Sequence, residues 1–268
     1  MNGVYLSPDT YLDDPDPERR MRRLLRARRI GSWVLRRADH IRLLYPGQAD
    51  GFRDIERVPR STLFEIPYSK GFAPTPLGPE KILLFVGFPY LIKGVDILLE
   101  AFAGAREVDP QWRLVVVGFA LEAPAQESGI PLEGVEFVGP KPPEEVAAWM
   151  VRCQGLVLPS RSEGMGRVLL EAGRIGRARI GSDAHGIPHY IEDGVDGLLF
   201  ESGDSSSLEE VLRRFFQDRA LRKQLGEKAR ERVELQYTVR DYVAGYRKIL
   251  RSVGALRQVE PGSAENPP

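Results

Sequence analysis

From Lys81 onward the sequence repeats one unit, a short apolar run followed by a stretch with apolar residues every three or four positions. The runs cover 82–86, 114–117, 135–138, 156–158 and 198–200. Most are Leu-rich or β-branched without polar alternation, the pattern of strands covered on both faces. The stretches at 95–107, 144–153 and 167–174 begin beside glycine, proline or an acidic residue, as helix starts do. Alternation at this spacing predicts an α/β fold built on a doubly wound parallel sheet with right-handed crossovers.

The first 75 residues break this rhythm. Val4-Tyr5-Leu6 reads as one strand, 18–41 as a long helix and 63–67 as a short strand. Pro74, Pro76 and Pro79 then read as an inter-domain linker. Three helical segments follow Asp204, the last over 237–253, and the Pro-, Gly- and Glu-rich tail at 254–268 is expected to be disordered. The domain boundaries expected from this are 1–75, 76–236, a closing helix at 237–253 that packs toward the N-terminal part, and the tail.

Composition removes several classes of function. Thirty-eight basic residues balance 38 acidic ones, so no strong net positive charge exists to track nucleic acid over the whole surface. A single cysteine, Cys153, excludes an internal disulfide framework or a cysteine-rich zinc module. The N-terminus lacks the basic-then-apolar order of a secretory signal. The longest apolar run, 82–92, is broken by Gly87 and Pro89 and falls short of the ~20 residues that span a bilayer. A cytoplasmic protein, at most peripheral to a membrane, is the expectation.

The segment richest in chemistry runs from Pro159 through Ser160-Arg161-Ser162-Glu163-Gly164-Met165-Gly166-Arg167 to Glu171-Ala172. It follows one strand and opens a helix, at the carboxyl edge of the sheet where α/β folds bind ligands. Gly164 and Gly166 allow close backbone approach, and amides at a helix start favour anionic or hydroxyl-rich groups. Glu163 and Glu171 could each accept hydrogen bonds from sugar or ribose hydroxyls. On spacing alone, an equal reading is a Glu171–Arg167 pair on a solvated helix face, opposite Val168, Ala172 and Ile175.

The Glu163-to-Glu171 segment resembles the Glu-seven residues-Glu motif of retaining glycosyltransferases of the GT-B fold, in particular glycosyltransferase family 4 (group 1). Other segments agree in the family's order: Phe85-Val86-Gly87, Lys93 to Phe102, Trp112 to Gly118, Val135 to Gly139, and Gly186-Ile187-Pro188 through Leu199. The resemblance implies a Rossmann-like C-terminal donor domain, preceded by a partial N-terminal α/β segment left from an acceptor domain. It implies transfer of a hexose-type sugar, with retention, from a nucleotide diphosphate to a glycan or lipid-linked acceptor hydroxyl, without a metal. Lys93 would meet the diphosphate and Glu163 the donor sugar, as the catalytic pair. Glu171 would meet the ribose, the amides of Gly164, Met165 and Gly166 the sugar and phosphate oxygens, and Gly139 the base, with Gly87 in the phosphate loop. A pyridoxal-dependent phosphorylase or an epimerase of similar architecture is a further reading.

Three departures qualify that assignment. Phe88 stands where the family often has a diphosphate-binding arginine, leaving Arg161 or Arg167 to supply the charge. His189 replaces a frequent glutamate and reads as a surface histidine at a helix start, and His185 stands where a loop glycine is common. About four strands of the acceptor domain have no counterpart. A fragment, a truncated gene or a subunit that needs a partner all fit this, with partner or self-association expected through residues 1–75. A non-catalytic donor-binding subunit is therefore the rival to an enzyme. Residues 18–42 hold ten arginines against Glu18 and Asp39. In a chain with 31 arginines and seven lysines this reads first as a solvated helix, and second as one resting on anionic lipid. No aromatic-basic motif supports nucleic-acid binding.

Overall fold

The computed structural model describes residues 16–65, 73–118 and 129–255. The expected strand at 4–6, Ile66-Pro67 and the tail beyond 255 lie outside them. Helix α1 (Pro17–Leu35) is followed by β1 (Ile41–Leu43) and β2 (Arg60–Thr62), which pair in parallel. Then come β3 (Ile82–Val86), α2 (Val95–Ala105), β4 (Arg113–Val117), β5 (Val135–Gly139), α3 (Pro143–Arg152), β6 (Gly155–Leu158), α4 (Arg167–Ile175), β7 (Ala178–Ser182) and β8 (Leu198–Phe200). Helices α5 (Ser205–Gln217), α6 (Arg219–Gln236) and α7 (Val239–Ser252) close the chain.

Strands β3 to β8 form one six-stranded parallel sheet in the order β5-β4-β3-β6-β7-β8. The order reverses between β3 and β6, so the two connections that follow these strands leave in opposite directions and open a crevice at their carboxyl ends. The core explains why the strands carry no polar alternation: every residue of β6 and β7 and all of β3 but Val86 are buried. On one face α2 packs against α5, where Trp112 stacks on Phe216 with centroids 4.2 Å apart. On the other, α4 packs against α6.

Strand β7 has no counterpart in the sequence reading. Its residues Ala178-Arg179-Ile180-Gly181-Ser182 offer no apolar run, because Arg179 lies wholly inside the protein. Its guanidinium meets the buried Asp196 carboxylate at 2.8 Å, and Arg232 of α6 holds the other oxygen of Asp196 at 2.9 Å. Burial pushes the Arg179 pKa down and the Asp196 charge opposes it. Arg177, also fully buried, donates to the carbonyls of Met150, Val151, Thr75 and Pro76, which fastens the proline-rich segment to the sheet.

The N-terminal part corrects two expectations. Helix α1 ends at Leu35, not near 41, because helical periodicity gives way to the two-residue alternation of buried Ile41, Leu43 and Tyr45, which forms a strand. The second strand is 60–62 rather than 63–67, set by its register of Ile41 opposite Arg60. Leu63 and Phe64 are instead directed onto α7 and Tyr237; Phe64 meets the Tyr237 ring edge-on at 5.1 Å.

Two outcomes follow from these buried groups. Asp196→Ala leaves two arginines without their shared carboxylate and should lower stability by about 3–5 kcal/mol, read from urea unfolding. Burial pushes the Cys153 thiol up to about 12. A thiol reagent at pH 8 should leave the native protein unmodified and label it once urea unfolds it.

Candidate functional site

The crevice at the sheet's reversal point is a cleft of about 480 Å³. The β3–α2 loop contributes Gly87, Phe88, Pro89 and Lys93, and the β6–α4 loop contributes Ser162 to Gly166, with Arg167 and Val168 of α4 beyond. The loops are locked together through their backbones: Arg161 N–H donates to the Ile92 carbonyl at 2.9 Å, and Gly186 N–H to that of Glu163 at 3.2 Å. A Cβ on Gly94 would overlap the Pro159 carbonyl oxygen, and one on Gly186 that of Gly164. Only glycine permits these approaches.

Lys93 Nζ and the Glu163 carboxylate, seventy positions apart in sequence, meet in an ion pair on the floor of the cleft. Glu163 also accepts the Gly164 N–H at 3.1 Å and the Ser160 hydroxyl at 3.4 Å. A cation beside a fixed carboxylate, next to the amides of a glycine-rich helix start, can receive an anionic group and hydroxyls side by side.

The other expected site residues are distributed differently. Gly164, Met165, Gly166, Gly87 and Arg167 line the same cleft. Arg161 does not: its guanidinium forms a bidentate pair with Asp96, both bonds 2.7 Å, and donates to the Leu91 carbonyl. Of the two arginines considered for phosphate, the geometry leaves Arg167, 59% exposed at the start of α4. Glu171 lies one turn deeper, only 5% exposed, with Arg167 Nε 3.5 Å from its carboxylate. The Arg167 partner of the alternative reading is present but its solvated face is not, because α4 is covered by both the sheet and α6. Gly139 ends β5 with φ +72° and accepts Gly118 N–H, outside the cleft lining.

The sequence reading assigned no site role to Leu44 and Glu65, which reach the cleft from the N-terminal part, or to Pro89, Ile92 and Ser162 of its loops; Phe88, singled out there for the arginine it replaces, stands 70% exposed at the mouth. Glu65 is held by Arg42 at 3.7 Å and donates its N–H to Met165 Sδ. Its signal was its place within the short strand expected at 63–67. His189 is exposed and stacks on Tyr45, while His185 adopts φ +47°, consistent with a glycine-favouring position. Among the described residues no group of His, Cys, Asp and Glu could hold a metal ion. No helix there is long and apolar enough to cross a membrane.

The Gly186 approach is testable. Gly186→Ala must push the 163–164 loop away, costing about 1–3 kcal/mol in chemical unfolding; unchanged stability would contradict the close packing.

Residues 72–232 match the family of glycosyl transferases group 1. The chain is 33% identical over 168 residues to an uncharacterized glycosyltransferase, MJ1178, of Methanocaldococcus jannaschii, covering 62% of this chain and 46% of that protein. It is 32% identical over 160 residues to a D-inositol 3-phosphate glycosyltransferase of Corynebacterium aurimucosum, covering 56% and 38%. The chain thus spans less than half the length of these curated relatives. Among solved structures, Anabaena HepE in complex with UDP and glucose superposes with TM-score 0.70 at 19% identity, over 85% of this chain and 66% of HepE. The C-terminal domain of a group 1 glycosyl transferase from Francisella tularensis superposes with TM-score 0.53 at 23% identity, over 65% of this chain and 96% of that domain. The six-stranded parallel sheet is that of a GT-B C-terminal domain, and the chain belongs to the group 1 glycosyltransferase family.

Proposed function

We propose that this chain carries the nucleotide-sugar site of a retaining glycosyltransferase that moves a hexose-type sugar to a glycan or lipid-linked hydroxyl. The observation that carries the reading is the Lys93–Glu163 pair, assembled from two loops at the point where the strand order reverses. Residues 76–236 would form the donor domain, with 237–253 returning to the N-terminal part.

In this reading the donor diphosphate takes Lys93 from Glu163, and the freed carboxylate accepts hydrogen bonds from the donor sugar. As the anomeric C–O bond breaks, negative charge grows on the departing diphosphate. Lys93, with the amides of Gly164 to Gly166 and the exposed Arg167, would stabilise that charge without reorganising. Glu171 would serve the ribose only if Arg167 turns away from it. The HepE complex makes a uridine nucleotide the first donor to try.

A second reading is donor binding that needs another polypeptide for transfer: the described cleft lining takes only Leu44 and Glu65 from the N-terminal part, and the rest from the six-stranded domain. Transfer requires the acceptor hydroxyl to be positioned against the anomeric carbon, and that positioning supplies much of the rate. Assay of the purified chain with a mixed glycan and lipid acceptor pool separates the readings.

Calorimetry with UDP, GDP, ADP and their hexose conjugates tests the site itself. Lys93→Ala should weaken binding by about 1.5–3 kcal/mol, the worth of a hydrogen bond to a charged group. Glu163→Gln should tighten binding of the bare diphosphate, since Lys93 loses its competitor, and should abolish transfer. No binding of any nucleotide by the parent chain would end the proposal.

A further inference from the structure

We propose that the outward face of α1 docks on an anionic lipid surface. The helix is mounted firmly by its inner face. Leu24, Gly31 and Ser32 are buried, the Ser32 hydroxyl accepts Arg53 N–H at 2.9 Å, and a Cβ on Gly31 would overlap the Phe52 ring. The opposite half faces solvent and mixes two kinds of side chain. Met21, Leu25, Ile30 and Trp33 are 44–56% exposed, an unusual concentration of large apolar groups on one helix. Between them stand the exposed arginines Arg22, Arg26 and Arg29. The Arg37 guanidinium lies 4.1 Å over the Trp33 ring, the pairing of a cation with an interfacial aromatic.

Charge complementarity selects the occupant. Residues 17–37 carry nine arginines and one acid, Glu18; even counting Asp9, Asp13, Asp14 and Asp16, residues 1–37 hold nine bases against five acids. The whole chain is neutral, so positive charge is concentrated here. A second copy would bring the same arginines face to face. A nucleic-acid backbone would satisfy the arginines and leave the four apolar groups wet. A lipid surface takes both: phosphates meet the guanidinium groups while the leucine, isoleucine, methionine and tryptophan enter the headgroup boundary.

The test needs no nucleotide, so it stands or falls apart from the donor site. The full chain is sedimented with vesicles of phosphatidylcholine alone or with 30% phosphatidylglycerol. Binding should occur only with the anionic lipid and fall at least tenfold between about 0.1 and 0.5 M salt. Vesicles should also blue-shift tryptophan emission, and Trp33→Leu should remove the shift while retaining binding. Two further variants, Leu25→Asp/Trp33→Asp and Arg22→Glu/Arg26→Glu/Arg29→Glu, replace exposed side chains and should each abolish binding with circular dichroism unchanged. The proposal is overturned by equal binding to neutral vesicles, by no binding to either, or by binding that both variants retain. Self-association that the Leu25→Asp/Trp33→Asp variant dissolves, or retention on nucleic acid in place of vesicles, would also overturn it.

Discussion

The cleft exists because main chain can touch main chain at the carboxyl edge of the sheet. Three loops, after β3, β6 and β7, leave neighbouring strands and would ordinarily be held apart by their side chains. At Gly94 and Gly186 there is none, and the carbonyls of Pro159 and Gly164 occupy the space a Cβ would need. That approach, with the Arg161–Ile92 and Gly186–Glu163 backbone bonds, fixes the loops relative to one another. Lys93 and Glu163 are carried on this frame, so their meeting is a consequence of backbone packing rather than of any attraction between the two charges alone.

A second set of constraints comes from charges placed in the interior. Arg177 ties the proline-rich segment to the sheet, and Arg179 with Asp196 and Arg232 ties β7 to α6. Arg222 donates to the carbonyls of Phe215 and Phe216 and lies 5.1 Å from the Trp112 ring, closing the end of α5. Removing such groups from water is costly, so each persists only with its carbonyls or carboxylates supplied. The same geometry explains how the N-terminal part stays attached: Tyr190 donates its hydroxyl to the Leu44 carbonyl, and Phe64 seats against Tyr237. The six-stranded domain and residues 41–65 therefore meet through a mixed polar and aromatic seam that reaches the cleft at Leu44 and Glu65.

Legibility followed the chemistry of burial. Strands β3, β4, β6 and β8 were readable because doubly covered parallel strands demand uninterrupted apolar residues. Strand β7 was not, because its buried arginine mimics a surface residue and only the distant Asp196 neutralises it. The end of α1 was missed where a period of 3.6 changes to a period of two within six residues. At the site, the glycine-bracketed loop was visible in the local sequence, as was the family pattern. The pairing of Lys93 with Glu163, the commitment of Arg161 to Asp96 and the burial of Glu171 were not, since each depends on groups brought together by the crossovers.

The charges in the cleft bear on what it would accept. Its described lining holds two cations, Lys93 and Arg167, and two carboxylates, Glu163 and Glu65. Lys93 and Glu163 are only 20% and 14% exposed, so neither can readily exchange its partner for water. An anion that takes Lys93 without satisfying Glu163 leaves a poorly hydrated carboxylate behind, and a neutral sugar that takes Glu163 strands the lysine. A ligand that joins a diphosphate to a hydroxyl-bearing ring supplies both partners together and avoids both penalties. For the proposed donor, the ion pair would then work as a discriminator against the two halves of the molecule taken separately. Free phosphate and free sugar each meet a closed pair, and only their conjugate is matched to opening it.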